Sequence, residues 1–268
     1  MKNKKILLYY ILEFILTISI FISLLLIILK LTILNKNYLL NQLEKNNYSH
    51  ELFLDINEDF NNYMMQSGFD NSVVDNLFTE DSLKKVVNKN VDNFYKGKKI
   101  NVDIKEIEQK LETNINNYLE SNNITATDEN ELKLFIREIV NIYQDRIIIH
   151  KRLGNFSTKF YKLNKLINII LTITVIFNFA LLIIIKKVFK KLTLTIPILT
   201  SIFLLILIYY LLFLKININY IVFWNDYIST VIKNIFLNIE SIIKYIIIGG
   251  IALEILKLLI FYLRKSRI

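Results

Sequence analysis

The 268-residue chain has no cysteine, which excludes a disulfide framework and any thiolate metal site. Proline occurs once and glycine five times, with no glycine-rich loop to cradle a phosphate, so no nucleotide site is expected. The HExxH and GxSxG patterns are absent as well, so no enzyme and no cofactor are expected. Strand-like alternation is nearly lacking, which points to an all-α fold. Histidine occurs only twice. The scarcity of proline and glycine beside abundant Asn, Lys and Ile has the look of AT-rich coding bias, as in a low-GC bacterium.

What is abundant is apolar: 53% of the residues are hydrophobic and the mean hydropathy is +0.39. These residues gather in runs at Ile6–Leu29, Leu166–Ile185, Leu192–Leu214 and Ile242–Leu263. A helix needs about 20 apolar residues to cross a ~30 Å hydrocarbon core, so four transmembrane helices are expected. The first run follows Met1-Lys2-Asn3-Lys4-Lys5 but is too long for a signal peptide and has no small-residue cleavage site after it. The net charge of +9 is not an invitation to nucleic acid. Residues 35–165 hold 18 Lys+Arg against 20 Asp+Glu, so the excess lies at the span ends. Basic residues flank alternate ends, at the amino terminus, at residues 186–191 and at 264–268.

The positive-inside rule then gives a cell-membrane protein with both termini cytoplasmic. The expected order is a basic start and first span (1–34), an extracytoplasmic domain (35–165), a second span (166–185), a basic loop (186–191) and a third span (192–214). An outer loop (215–241), a fourth span (242–263) and a basic tail (264–268) follow. Tyr9, Tyr10, Tyr161, Tyr209, Tyr210 and Tyr262 fall near span ends, where interfacial aromatics belong.

Within 35–165 the apolar spacing is helical. Leu39, Leu43, Asn46, His50, Phe53, Ile56, Phe60 and Tyr63 define one face, with Gly68 as the stop. Thr79-Glu80-Asp81-Ser82 opens a second helix, with Leu83, Val86, Val87, Phe94 and Tyr95 inward and Gly97 at its end. Ile104, Ile107, Leu111, Ile115 and Tyr118 mark a third. Asp128 starts a fourth, carrying Leu132, Phe135, Ile136, Ile139, Tyr143, Ile147, His150 and Leu153, with a hinge at Gly154. Four such helices between two spans make an antiparallel bundle the natural packing. In the loop 215–241, Trp224, Tyr227, Ile228, Val231 and Ile235 form an apolar stripe. This is expected to be an amphipathic helix, lying in the headgroup interface or packed beneath the outer bundle.

Two constellations carry chemical interest. Glu13, Thr17, Asn178, Glu254 and Lys257, with Thr174, Thr195, Thr200 and Ser201, fall in the cytoplasmic leaflet. The four ionisable or amide members are expected roughly 9–14 Å inside its edge. Pro197 is a possible break in the third span. Intramembrane ionisable groups face protein or water, so the layer either lines an ion or proton path or pairs Glu13 with Lys257 across a helix interface. Gly249, Gly250 and Ala252 favour close packing of the fourth span. The second constellation is His50 and His150, expected at matching heights with Asp55 and Asp145. These four residues can serve as a zinc or pH-sensing site; the alternative is two ordinary, partly buried histidines. The metal, if any, is unknown.

The segment Asn62-Tyr63-Met64-Met65-Gln66-Ser67-Gly68-Phe69-Asp70, continuing through Val73 to Thr79, resembles four-span membrane proteins of low-GC Gram-positive bacteria that carry a helical extracytoplasmic domain. The likeness covers about a tenth of the chain and carries no catalytic residue across. The layout also resembles ligand-binding domains of bacterial transmembrane receptors, which have a cytoplasmic signalling domain. Division-associated permease-like proteins share the layout but have a longer segment between spans two and three. The expected role is sensing or binding an envelope partner, with the lipid bilayer and a membrane-protein partner or homo-oligomer as neighbours. The alternative is an oligomeric ion or proton channel or transporter.

Overall fold

The computed structural model describes residues 2–100, 102–124, 129–147, 153–189, 195–214 and 225–265. Among them it is all-helical, without a strand. The helices are α1 (Lys2–Leu31), α2 (Lys36–Lys45), α3 (Tyr48–Ser67), α4 (Glu80–Tyr95), α5 (Lys105–Ser121), α6 (Glu129–Ile147), α7 (Leu153–Phe189), α8 (Thr195–Tyr209) and α9 (Asp226–Lys265). A short 3-10 turn spans Asn71–Val73, and α8 ends in a π turn over Tyr210–Leu214. The chain divides into two compact units, Leu40–Leu163 and the remainder, Met1–Leu39 with Asn164–Ile268. The division falls inside α2 and inside α7.

The apolar unit holds its helices together with aliphatic contacts. Leu16 on α1 is buried against Leu181 and Ile185 of α7. Ile28 of α1, Leu205 of α8 and Ile243 of α9 form a second cluster. Side chains on the opposite faces are turned outward: Phe14, Phe179, Phe203 and Leu253 each expose more than 60% of their surface. Continuous belts of that kind on a water-facing surface would forfeit about 25 cal/mol per Å2 of apolar area, and they mark a surface that faces lipid or protein. Three helical segments, Lys4–Leu31, Phe156–Phe189 and Thr195–Phe213, are long and apolar enough to cross a membrane.

Three expectations are corrected here. Pro197 lies in the first described turn of α8 and the helix passes through it; the departure from α geometry comes later, at Tyr210. The stripe Tyr227, Ile228, Val231 and Ile235 is not a separate surface helix but the opening of the 40-residue α9, and Trp224 lies outside the described residues. No Gly, Pro or capping signal intervenes before Ile242, so nothing stops the helix. Val231 and Ser229 are buried within the unit, and the Tyr38 hydroxyl donates to the Ile235 carbonyl at 3.4 Å. Gly154 is helical rather than a hinge, near the start of α7. At 1.5 Å per residue α7 and α9 run about 55 and 60 Å, nearly twice a hydrocarbon core.

The hydrophilic unit Leu40–Leu163 has its own core. Leu52, Ile56, Phe60 and Met64 recur every fourth residue along α3, and all are essentially inaccessible. Leu83 and Val87 of α4, Ile107, Leu111 and Ile115 of α5, and Ile139 and Tyr143 of α6 are buried as well. Contacts run between α3 and α6, α3 and α4, and α5 and α6. The sequence face on α3 was displaced by part of a turn: His50 is exposed, and Tyr48 and Leu52 take the inward positions. The cause is a break. Asn47 adopts φ 48, a left-handed conformation asparagine tolerates, so α2 and α3 are separate helices and the phase restarts at Tyr48.

Local signals elsewhere act as the residues imply. Gly68 caps α3 at φ 80, and Thr79 with Ser82 forms a reciprocal capping box at the start of α4. The α6 helix is described from Glu129, so Asp128 lies outside the described residues.

One core position breaks the pattern. Asn90 continues the buried face of α4 one turn beyond Val87, and neither its amide nitrogen nor its oxygen has a hydrogen-bond partner among the described residues. Burying an unpaired amide costs roughly 1–3 kcal/mol. Asn90→Leu is therefore expected to stabilise the unit by about 1–2 kcal/mol, read as slower hydrogen exchange of α4 amides in the full-length protein. Faster exchange would mean that the amide is satisfied there and the penalty does not exist.

Candidate functional site

The buried polar groups of the apolar unit begin on α1. Glu13 is only 6% exposed, and its Oε1 accepts from the Tyr9 hydroxyl one turn earlier, at 3.4 Å. Thr17 returns its hydroxyl to the Glu13 carbonyl at 2.9 Å. On α8, the Ser201 hydroxyl lies 3.1 Å from the Thr17 carbonyl and 2.7 Å from the Pro197 carbonyl, linking α1 to α8 through a fully buried group. On α9, Glu254 is 6% exposed and faces the Lys257 ammonium, with Nζ 3.3 Å from Oε2. That ammonium also donates to Thr195 Oγ1 of α8 at 2.6 Å, clasping α8 to α9.

The expected pairing of Glu13 with Lys257 does not form. Lys257 engages Glu254 and Thr195, and among the described residues no cation bonds Glu13. An i,i+3 neighbour is already within reach, so Lys257 needs no partner from α1. Asn178 also leaves the expected layer. Its amide donates to Ser23 Oγ at 3.2 Å, ten residues along α1 from Glu13, or about 15 Å. Packing of Leu181 and Ile185 on Leu16 fixes that register, which the soft ends of the apolar runs do not. Asn178 Oδ1 and Ser19 Oγ are buried without a partner among the described residues. Thr174 bonds back to the Leu171 carbonyl, and Thr200 is exposed.

At the other end of α8, Tyr209 donates to Glu240 at 3.0 Å while Lys244 pairs with Glu240 at 2.7 Å and sits 5.5 Å from the Tyr209 ring centroid. Sequence reading passed over this trio. Glu240 and Lys244 at i,i+4 beside an interfacial tyrosine were the available signal.

Of the two histidines of the hydrophilic unit, His150 lies outside the described residues. His50 is exposed and pairs with Glu80 of α4, Nδ1 to Oε2 at 2.9 Å. Among the described residues no group of three or more His, Cys, Asp or Glu side chains can hold a metal. Asp145 is exposed, and Asp55 turns instead to Arg146. Arg146 donates from Nη1 to Asp55 at 2.9 Å, and from Nε and Nη2 to both oxygens of Asp59. Asp55 and Asp59 stand one turn apart on α3, a like-charge pair that demanded a cation. That spacing is the signal the sequence carries for Arg146.

The Glu80 hydrogen bond raises the His50 pKa above its ordinary value, against a smaller opposing effect of desolvation. A raised folded-state pKa means the contact contributes fully below the unfolded value near 6.5 and fades as pH rises through the folded one. NMR titration of the imidazole signals should place His50 above the ordinary range. Glu80→Gln should return it, with His150→Gln assigning the second signal. A His50 titration indifferent to Glu80→Gln would contradict the pairing.

Set against protein-family models, curated proteins and solved structures, the chain matches none.

Proposed function

We propose that this is a four-span cell-membrane protein whose hydrophilic unit lies outside the cytoplasm and binds an envelope partner, with the spans coupling it to a membrane partner or a second copy. In this reading α9 supplies the fourth span, from Ile242 to Leu263. The observation that carries it is the separate core of Leu40–Leu163, a polar helical unit placed in sequence between the first two apolar helices. The alternating basic flanks support the outward placement of that unit.

The cysteine-free chain makes the test direct. A membrane-impermeant maleimide should label Glu112→Cys in intact cells and Lys4→Cys only after permeabilisation. Photo-crosslinkers at exposed sites of the unit should then give one discrete adduct in intact cells. The reverse labelling, or no adduct from any face of the unit, would remove the basis of the proposal.

A second reading, a channel or transporter, rests on Glu13, a buried carboxylate without a cation among the described residues. Liposomes carrying the protein should pass ions or protons in a manner that Glu13→Gln alters. Silence across voltage and pH would set this reading aside.

A further inference from the structure

An open groove of about 550 Å3 runs along the hydrophilic unit between the Asn71–Val73 turn and the carboxyl-terminal half of α5. Its size falls in the ~300–1,000 Å3 range of small-molecule sites. Among the described residues the lining includes Asp70, Ser72, Asn114, Asn117, Tyr118 and Asn122, with no lysine or arginine. That absence disfavours phosphates, sulfates and other anions, which need cationic donors. One carboxylate is too few for a divalent cation, which takes six or more oxygens. Polar walls likewise disfavour an acyl chain.

The hydrogen bonds already made show what is left to offer. The Asn114 amide donates to the Val73 and Asp75 carbonyls at 3.1 and 3.0 Å, fixing the turn to α5 and leaving Oδ1 as an acceptor. The Asn122 amide is spent on the Tyr118 carbonyl at 2.8 Å and on Ser121 Oγ at 3.3 Å, again leaving an acceptor. Asp70 accepts from the Ser72 N–H at 2.8 Å, which holds its carboxyl below the usual range and keeps it ionised. Asn117 is exposed one helical turn from Asn114 and has both an amide donor and an acceptor to give. The Tyr118 ring rests on Phe69, centroids 5.6 Å apart, and stands among these acceptors as a rigid apolar face.

The geometry points to a binding site for a neutral sugar, with room for a di- or trisaccharide. Clustered carboxamide and carboxylate oxygens accept from adjacent hydroxyls, Asn117 donates back, and the ring of Tyr118 takes the C–H face of a pyranose. The site deepens the proposal above by giving the envelope partner a chemistry, and its biological reach rests on that outward placement. Binding itself does not depend on topology when both membrane faces are open.

The test uses the full chain in phosphatidylcholine nanodiscs, where both faces are accessible, with maltotriose, cellotriose and triacetylchitotriose as probes. Saturation-transfer NMR should show transfer to at least one of them. Asn117→Leu and Asp70→Asn, both at exposed positions, should each weaken that binding about tenfold, the loss of one hydrogen bond to a charged or bidentate group. No transfer to any probe, equal transfer in both variants, or displacement of the sugar by triglycine at the same concentration would overturn the assignment. Cysteine labelling in cells decides the topology separately, so a failure of one is distinguishable from a failure of the other.

Discussion

Gly97→Ala is expected to destabilise the hydrophilic unit by about 2–4 kcal/mol. Two costs coincide at Gly97. Its φ of +67 is left-handed, which costs an L-residue about 1–2 kcal/mol. The added Cβ would also lie 2.8 Å from Tyr161 Cβ and 3.1 Å from its Cγ. A Cβ is fixed to its backbone, so relief requires moving the loop off α7. That loop is stitched down: Ser157 and Thr158 donate to the Lys98 and Gly97 carbonyls at 3.1 and 3.3 Å. Beside it Phe94 and Tyr95 pack on Phe160, centroids 4.7 and 5.3 Å away.

Gly68 supplies the internal control. It has φ +80, yet an added Cβ there meets nothing within 4 Å. Gly68→Ala should therefore cost only the conformational part, about 1–2 kcal/mol. Hydrogen exchange of α3 and α4 amides in the full-length protein measures both. Equal losses at the two glycines would show that the Tyr161 contact carries no weight.

The contrast also marks what the residues alone disclosed. Both glycines were legible as helix ends, because a glycine after an apolar-periodic run has one common use. That Gly97 is pinned against Tyr161, 64 residues later, required three dimensions. The all-helical class was legible for the same local reason: the spacing of Leu83 and Val87, or of Ile107, Leu111 and Ile115, is a property of short segments. Phase was less secure. Nothing in Lys45-Asn46-Asn47-Tyr48 is a strong breaker, so the spacing predicts one continuous face through His50, and Asn47 resets it. In the apolar unit the failure was one of register. Apolar runs have soft ends, so depths counted from them put Asn178 beside Glu13, and interhelical packing put it beside Ser23. The sugar-binding groove had no sequence signal, since its asparagines look like ordinary surface residues of α5.

Removing the Arg146 guanidinium should cost about 1–3 kcal/mol, because three charge-assisted hydrogen bonds go and two carboxylates are left facing each other. The range sits above that of a surface ion pair, worth about 0–1 kcal/mol, because these side chains are only 26–33% exposed. It stays below that of a fully buried pair since water still reaches the edges. Arg146→Met keeps the aliphatic stem that covers α3 and isolates the charge. Arg146→Lys should recover only part of the loss, as one ammonium cannot span Asp55 and Asp59 in fork geometry.

The decisive variant is Arg146→Met with Asp55→Asn and Asp59→Asn. If the penalty is chiefly repulsion between carboxylates one turn apart, the triple variant should be more stable than Arg146→Met alone, and high salt should narrow the gap. Thermal unfolding followed with hydrogen exchange in α3 and α6 reads both comparisons. A triple variant no better than Arg146→Met would mean that the guanidinium acts through packing. The α3–α6 contact would then be held by Phe60, Ile139 and Tyr143 without electrostatic help.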